Sequence, residues 1–203
     1  LSAGVVVSIG GDGTFLRAAA WVGSRETPIF GVNTGHLGYL SDVSVADVST
    51  FVAGLADGNF RIERRSLLQV DTNAGVALAN RYALNEVAIL KNASASMLAM
   101  DTSVDTTMLN TYLGDGLIIA TPTGSTAYNL SVGGPILHPA CSSFVLSPIA
   151  AHSLTMRPLV VPDTVEIAVT TRSERSHTFR ISVDGESLSL PIGSTIRLRK
   201  ADF

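Results

Sequence analysis

The sequence predicts an α/β domain over residues 1–60, followed by a mostly antiparallel, sandwich-like β-rich domain over residues 61–203. Two observations predict this fold class. An uninterrupted apolar run at residues 5–9 leads through a Gly-Gly-Asp-Gly-Thr turn into a helix-forming stretch, which is the element order of an α/β protein. After Phe60, alternating and β-branched runs separated by turn residues replace that pattern.

The elements of the first domain follow from hydrophobic periodicity and from helix start and stop signals. Ser44 precedes an apolar stripe with helical spacing and Gly58 follows it, so we expect a helix between them. The strand at residues 5–9 is apolar on both faces and needs neighbours on each side, so we expect this domain to be incomplete in the present chain. The predicted elements are strands at 5–9 and 28–32, helices at 14–22 and 45–56, and a loop at 33–38.

The second domain is predicted to consist mainly of strands. Turn signals separate the apolar runs, and residues 184–186 (Asp-Gly-Glu) are most simply a hairpin turn. The seam between the two domains is expected near residues 58–64. The predicted strands are 60–70, 77–90, 97–104, 107–113, 117–120, 144–146, 159–161, 165–170, 178–183 and 195–198.

Composition excludes several classes of function. The formal net charge is −3 and Lys and Arg do not cluster, so we expect neither nucleic acid nor a membrane as a partner. No apolar run approaches the roughly 18 residues of a membrane-spanning helix. The single cysteine, Cys141, cannot form an internal disulfide, which favours a cytoplasmic location.

The turn at residues 10–14 has the composition of a phosphate cradle. Glycines let backbone N–H groups face an anion, and the start of the following helix adds positive potential. Asp12 would repel phosphates unless it handles a metal ion or accepts a proton from an attacking hydroxyl, which favours phosphoryl transfer. The turn has no lysine for a P-loop, and Leu16 occupies the third glycine position of a dinucleotide fingerprint. The alternative is a tight turn in which Asp12 or Thr14 only caps the helix.

A second segment, residues 121–135, interrupts the β pattern with hydroxyls, glycines and a tyrosine. It follows a predicted strand and precedes a short helix, so its hydroxyl and N–H groups are in a position to hold a ribose or a phosphate. The alternative is a surface loop with ordinary turn chemistry.

Several other polar residues stand out from apolar surroundings. Asn85 and Glu86 interrupt a strand and need partners, which are either protein backbone or a ligand such as ribose hydroxyls and an adenine edge. Asp115 lies between two glycines and locally looks like a β-turn residue. His138 and His152 stand beside prolines and apolar residues, and we interpret both as structural.

Together these segments resemble the NAD kinase family, and the resemblance covers almost the whole chain. The glycine turn alone is shared with lipid kinases and phosphofructokinases, whereas the motifs in this order are specific. The resemblance implies the NAD kinase fold, with a three-layer α/β domain, a β-rich domain and the active site between them, in a cytoplasmic homodimer or homotetramer. The motifs that carry it lie at residues 10–14, 31–40, 85–86, 114–116, 121–139, 147–149, 152–154 and 157–158.

The resemblance also implies the reaction and its residues. The γ-phosphoryl group of ATP, or of polyphosphate, would move to the 2′-hydroxyl of the adenosine ribose of NAD, with Asp12 orienting that hydroxyl and accepting its proton. Mg²⁺ would arrive with the donor, because the sequence shows no carboxylate cluster dense enough for a metal cage. Tyr39 either packs on the bound ligand or belongs to the core. The implied binding residues are Gly11, Gly13, Thr14, Arg17, Tyr39, Asn85, Glu86, Asp115, Thr123, Thr126, Ala127, Tyr128, Asn129, Leu130 and Ser131.

The sequence leaves two other functions open. The glycine turn also fits a kinase for lipid alcohols or sugar phosphates. The nucleotide-binding segments also fit a module that senses NAD without turnover. Phosphorylation of NAD but not of diacylglycerol excludes the first alternative, and ADP release excludes the second.

Overall fold

The computed structural model describes residues 4–35, 38–41, 43–92 and 96–203. Residues 36 and 37 of the predicted loop at 33–38 lie outside the described residues. Contacts group the chain into two compact units, which are Leu1–Arg64 with Phe203 and Arg65–Asp202. The domain boundary between residues 60 and 61 stays a prediction.

In its described residues, the first unit contains a small parallel sheet and two α-helices. The strand order is β1-β2-β3, and Val6 of β1 lies opposite Ile29 of β2. The second helix packs on the sheet, since the rings of Phe30 and Phe51 lie 4.6 Å apart. The elements are β1 (Val6–Ile9), α1 (Asp12–Val22), β2 (Ile29–Asn33), β3 (Val43–Ser44) and α2 (Val48–Ala56).

The second unit is built from antiparallel strands and one short helix, as far as the structure describes it. The elements are β4 (Leu68–Thr72), β5 (Tyr82–Ala83), β6 (Glu86–Lys91), β7 (Leu98–Val104), β8 (Thr107–Gly114), β9 (Gly116–Ala120), α3 (Tyr128–Ser131), β10 (Ser143–Ile149), β11 (Leu159–Pro162), β12 (Ile167–Arg172), β13 (Thr178–Val183), β14 (Glu186–Pro191) and β15 (Thr195–Lys200).

These strands form two sheets, each six-stranded over the described residues. One has the order β11-β10-β9-β6-β13-β14, and the other β5-β4-β15-β12-β7-β8. Alternate side chains of both sheets meet in one buried cluster that includes Met100, Phe144 and Phe179. The unit is therefore a sandwich, because each sheet turns one face toward that shared core.

The outer face of the first sheet carries a second, smaller apolar cluster. Ile118, Ala120 and Val145 alternate with residues of the main core, and Val132 and Leu137 pack against them. Residues 121–139 therefore cover this face of the sheet. That placement brings the segment singled out in the sequence onto the ends of β6 and β9.

The predicted fold class is confirmed, with local corrections. The run at 60–70 forms a strand only from Leu68, and the run at 77–90 divides into β5 and β6 because the chain passes from one sheet to the other. Helix α1 begins two residues earlier than predicted. The predicted helix at 45–56 starts as a 3₁₀ turn, in which the Ser44 hydroxyl donates to the Asp47 carboxylate at 2.5 Å. The sequence analysis missed β3 and β14.

Two further features concern the surface. Within the described residues, none of the helices combines the length and apolar character needed to cross a bilayer. Cys141 is exposed and carries a free thiol.

Candidate functional site

The glycine turn places Asp12 at the first position of helix α1. Gly11 is the N-cap, and its carbonyl accepts hydrogen bonds from the N–H groups of Thr14 at 2.9 Å and Phe15 at 3.2 Å. The Thr14 N–H is thus bound within the helix, contrary to the expectation that the helix starts there. In the described chain, the amides of Asp12 and Gly13 are those in a position to face an anion, because the first N–H groups of a helix have no intrahelical acceptor.

The Asp12 carboxylate is oriented by a distant loop. Its Oδ2 accepts the N–H of Tyr39 at 2.9 Å, and its Oδ1 accepts the N–H of Leu40 at 3.1 Å. A Cβ added at Gly38 would lie 2.7 Å from the Asp12 Cγ and closer still to Oδ1. A side chain at residue 38 would therefore displace the Asp12 carboxylate. Sequence analysis identified the acid but missed these partners, which are 27 and 28 residues away along the chain.

The remaining residues of this cluster are polar and accessible. The Thr14 hydroxyl packs over Gly10, and the Arg17 guanidinium donates to it at 3.4 Å. The Tyr39 side chain is 70% exposed, so it does not belong to the core. We call residues 10–17 and 38–40 the glycine-loop cluster.

In the second unit, Asn85 and Glu86 lie where the chain crosses from β5 in one sheet to β6 in the other. The backbone N–H groups of Leu84, Asn85 and Glu86 all donate to the carboxylate of Asp184, at 2.7, 2.9 and 3.0 Å. The Asn85 side-chain amide makes no hydrogen bond to any described residue. Sequence analysis interpreted Asp184 only as part of a hairpin turn. The residues around Asp184 do not indicate hydrogen-bond partners that are so distant along the chain.

Glu86 is a buried carboxyl with an unusual pKa. Burial and, second, the neighbouring charge of Asp184 raise the pKa of Glu86 from 4.5 to about 7, opposed by a hydrogen bond from the N–H of Tyr128. Its Oε2 is buried and has no partner among the described residues. Burial also raises the pKa of Asp184, although the three backbone N–H groups oppose that shift. Glu86 therefore keeps one buried oxygen without a hydrogen bond among the described residues, and its other contact is with the start of α3.

The 121–139 segment lies directly against the Asn85 backbone. The Thr121 hydroxyl donates to the Leu84 carbonyl at 2.5 Å, and the Thr121 N–H donates to the Asn85 carbonyl at 2.9 Å. A Cβ at Gly124 would lie 2.6 Å from the Asn85 Cα, so only glycine fits there. Leu84 to Glu86, residues 121–129 and Asp184 form what we call the Glu86 cluster.

Inside this segment, some polar side chains form hydrogen bonds within the protein and others are accessible to solvent. Asn129 is fully buried, and its amide donates to the Ser125 and Pro135 carbonyls at 2.9 and 3.1 Å and accepts from the Ser147 hydroxyl at 2.6 Å. The Thr123 and Thr126 hydroxyls also bond within the protein, to Arg65 and to the Thr123 carbonyl, each at 3.4 Å. Among the predicted binding residues of the segment, those that are partly or largely exposed are Thr126, Ala127, Tyr128, Leu130 and Ser131.

Asp115 lies where the chain crosses from one sheet to the other, rather than in a β-turn. It connects β8 with β9, its N–H donates to the Ile149 carbonyl, and its carbonyl accepts from the Lys91 N–H. The Lys91 ammonium lies 2.7 Å from the Asp115 carboxylate. His138 and His152 are exposed, and the His138 Nδ1 accepts the N–H of Ala140 at 3.1 Å.

Comparison with known proteins assigns the chain to a family. Residues 2–60 match the profile described as the ATP-NAD kinase N-terminal domain, and residues 84–203 match the ATP-NAD kinase C-terminal domain. The chain belongs to the NAD kinase family. The motif resemblance noted in the sequence is therefore confirmed.

Individual relatives agree with this assignment. The NAD kinase of Porphyromonas gingivalis is 48% identical over 196 residues, which cover 97% of this chain and 67% of that protein. The NAD kinase of Bacteroides fragilis is 46% identical over 201 residues, which cover 99% of this chain and 69% of that protein. The chain thus spans about two thirds of the length of these NAD kinases.

Two solved structures share the fold. Yeast NADH kinase complexed with NADH superposes with a TM-score of 0.91 at 26% identity, covering 98% of this chain and 58% of that one. The NAD kinase from Archaeoglobus fulgidus in complex with ATP gives a TM-score of 0.84 at 32% identity, covering 98% of this chain and 75% of that one.

Direct binding of Mg²⁺ by this NAD kinase family member would require suitable side chains close together. Over the ranges that the structure describes, no group of three or more His, Cys, Asp or Glu residues could hold a metal ion.

Proposed function

We propose that the protein transfers the γ-phosphoryl group of ATP to the 2′-hydroxyl of the adenosine ribose of NAD, which makes NADP and ADP. Membership of the NAD kinase family supports the reaction, and the orientation of Asp12 supports the way it is performed. Polyphosphate as an alternative donor, a homo-oligomeric state and a cytoplasmic location stay predictions.

Asp12 is the proposed catalytic base. Each carboxylate oxygen accepts one backbone N–H, from Tyr39 or Leu40, and keeps a further lone pair for a substrate hydroxyl. The side chain is only partly buried, so the hydroxyl can reach it. As the ribose oxygen forms its bond to the γ-phosphorus, the proton of the 2′-hydroxyl passes to Asp12. The bond from that phosphorus to the bridging oxygen breaks, and ADP leaves.

The start of helix α1 holds the donor phosphates in this proposal. The N–H groups of Asp12 and Gly13 and the positive end of the helix face the anion, and Gly11 gives the backbone close access to it. Thr14 contributes through its hydroxyl rather than its bound N–H. Arg17 adds a positive charge one turn further along. A Mg²⁺ ion bound to the donor phosphates would neutralise part of their charge at this site.

The Glu86 cluster binds the dinucleotide. The partly exposed side chain of Asn85 and the Glu86 oxygen that lacks a partner among the described residues are the groups that bind the adenosine part. Accessible residues between positions 126 and 131 line the adenine pocket, and Asp115 engages the other end of the dinucleotide. Thr123 and Asn129, whose polar atoms bond within the protein, act by positioning that segment. The pocket-lining residues are Thr126, Ala127, Tyr128, Leu130 and Ser131.

Replacing Asp12 by Asn tests the proposal. Loss of the base should lower kcat for NADP formation by roughly 10²–10⁴-fold, while calorimetry still detects NAD binding. Asp57→Asn, at the exposed end of helix α2, is the matched control and should retain wild-type kcat. A folded Asp12→Asn protein with near wild-type turnover would remove Asp12 from this role. Binding of NAD by the wild-type protein without ADP release would instead identify a sensing module.

A further inference from the structure

The carboxylate of Asp184 occupies an anion-binding site that is formed by backbone N–H groups of the same chain. It lies in the turn between β13 and β14 with a backbone φ of +47°, a conformation that Asp tolerates better than most residues. Three successive backbone N–H groups, from Leu84, Asn85 and Glu86, converge on its two oxygens. Such a run of convergent N–H groups forms a concave anion-binding nest.

The nest lies where the NAD site needs a fixed backbone. The partners are 98 to 100 residues apart in sequence, so local chain structure does not impose the contact. The Asp184 N–H also donates to the Glu86 carbonyl at 3.1 Å. Both polar groups of the Glu86 main chain are therefore tied to Asp184, at the point where the chain leaves one sheet for the other.

We propose that Asp184 is a positioning residue of the NAD site, which fixes the backbone of residues 84–86 and thereby the orientation of the Asn85 and Glu86 side chains toward the dinucleotide. This inference rests on the proposed function of the Glu86 cluster. Asp184 itself touches no substrate in this role, because its oxygens are already directed at the three backbone N–H groups.

The chain offers a closely matched control. Asp105 occupies the turn between β7 and β8 with a φ of +52°, and its carboxylate accepts the N–H of Glu166 at 2.9 Å. Its own N–H donates to the Glu166 carbonyl at 2.7 Å, as that of Asp184 does to Glu86. Asp105 thus repeats the turn and the cross-strand contact without touching residues 84–86.

The experiment compares Asp184→Asn, Asp184→Ala and Asp105→Asn in steady-state assays with NAD and ATP varied separately. Asn keeps the turn conformation and one acceptor oxygen, so it should raise the KM for NAD by roughly tenfold, and Ala should raise it further. The KM for ATP should stay within about twofold in all three variants. Asp105→Asn should leave both KM values unchanged.

The KM values separate positioning from simple loss of folded protein, since a smaller folded fraction lowers the apparent kcat and leaves KM unchanged. A wild-type KM for NAD in a folded Asp184→Asn protein would overturn the inference, as would an equal rise in Asp105→Asn. If Asp184→Ala does not fold, the Asn variant decides. Wild-type protein that makes no NADP would contradict the proposed function instead.

Discussion

At the scale of single residues, the orientation of Asp12 depends on the absence of a side chain at position 38. The two N–H donors of Tyr39 and Leu40 reach the carboxylate only because the Gly38 backbone passes directly beside it. The short distance from Gly38 to the Asp12 side chain favours glycine here. Backbone conformation does not, since the φ of Gly38 lies outside the left-handed region. The identity of residue 38 therefore bears on the chemistry assigned to residue 12.

Gly38→Ala should lower kcat for NADP formation by about tenfold or more, because the new methyl group displaces the Asp12 carboxylate from its two donors. Gly35→Ala is the matched control in the same loop, since a Cβ at Gly35 meets nothing within 4 Å. It should retain wild-type kcat. Steady-state kinetics on the two folded variants makes the comparison, and equal activity of both would contradict the steric argument.

Glu86 makes the stability of the protein depend on pH in a definite direction. Its pKa is raised from 4.5 to about 7 in the folded state, so the charged form is disfavoured by folding. Its contribution to the free energy of unfolding is therefore greatest below about pH 4.5 and is lost as pH rises toward 7.

Glu86→Gln removes this titration. The variant should match the wild type near pH 4.5 and exceed it at pH 8, by up to about 3 kcal/mol in the free energy of unfolding. Urea denaturation without nucleotide at several pH values measures the difference. Glu174→Gln, an exposed position, should track the wild type throughout. A difference between Glu86→Gln and wild type that does not change with pH would refute the assignment.

At the scale of elements, two of the places where the chain passes from one sheet to the other carry candidate site residues. Residues 84–85 connect β5 with β6, and Asp115 connects β8 with β9. The apolar run at 77–90 predicted a single strand, because hydrophobic spacing reports burial but not which sheet is entered. The polar residues Asn85 and Glu86 inside that run lie at the crossing. Strand β14 was missed although Ser and Leu alternate through residues 187–190.

The 121–139 segment depends on Asn129 for its attachment to the sheet. Asn129→Ala should destabilise the protein by about 3 kcal/mol, because it leaves the buried Ser125 carbonyl and Ser147 hydroxyl without their partner, and also removes the part-buried bond to Pro135. Asn80→Ala removes one bond, to the Tyr82 N–H in a surface turn, and should cost about 1 kcal/mol or less.

Urea denaturation measures both changes. The double variant Asn129→Ala with Ser147→Ala should be less destabilised than the sum of the single changes, since both remove one shared hydrogen bond. Strict additivity would show that the two side chains act independently.

At the scale of the whole molecule, the sequence predicted the fold class and the family, while the structure supplied the long-range partners. Alternation and turn residues were enough for a β-rich second domain, and the strand–glycine–helix order was enough for the α/β part. The donors to Asp12, the nest around Asp184 and the inward orientation of Asn129 were not predictable, because each joins segments that no periodicity connects.

The exposed thiol of Cys141 has a practical consequence. It is the only cysteine in the sequence, and its N–H donates to the His138 carbonyl at 2.9 Å, next to the segment assigned to adenine binding. A maleimide fluorophore will attach at one defined point per chain without any engineered substitution. Its emission will register changes around that loop as nucleotide is titrated, independently of turnover.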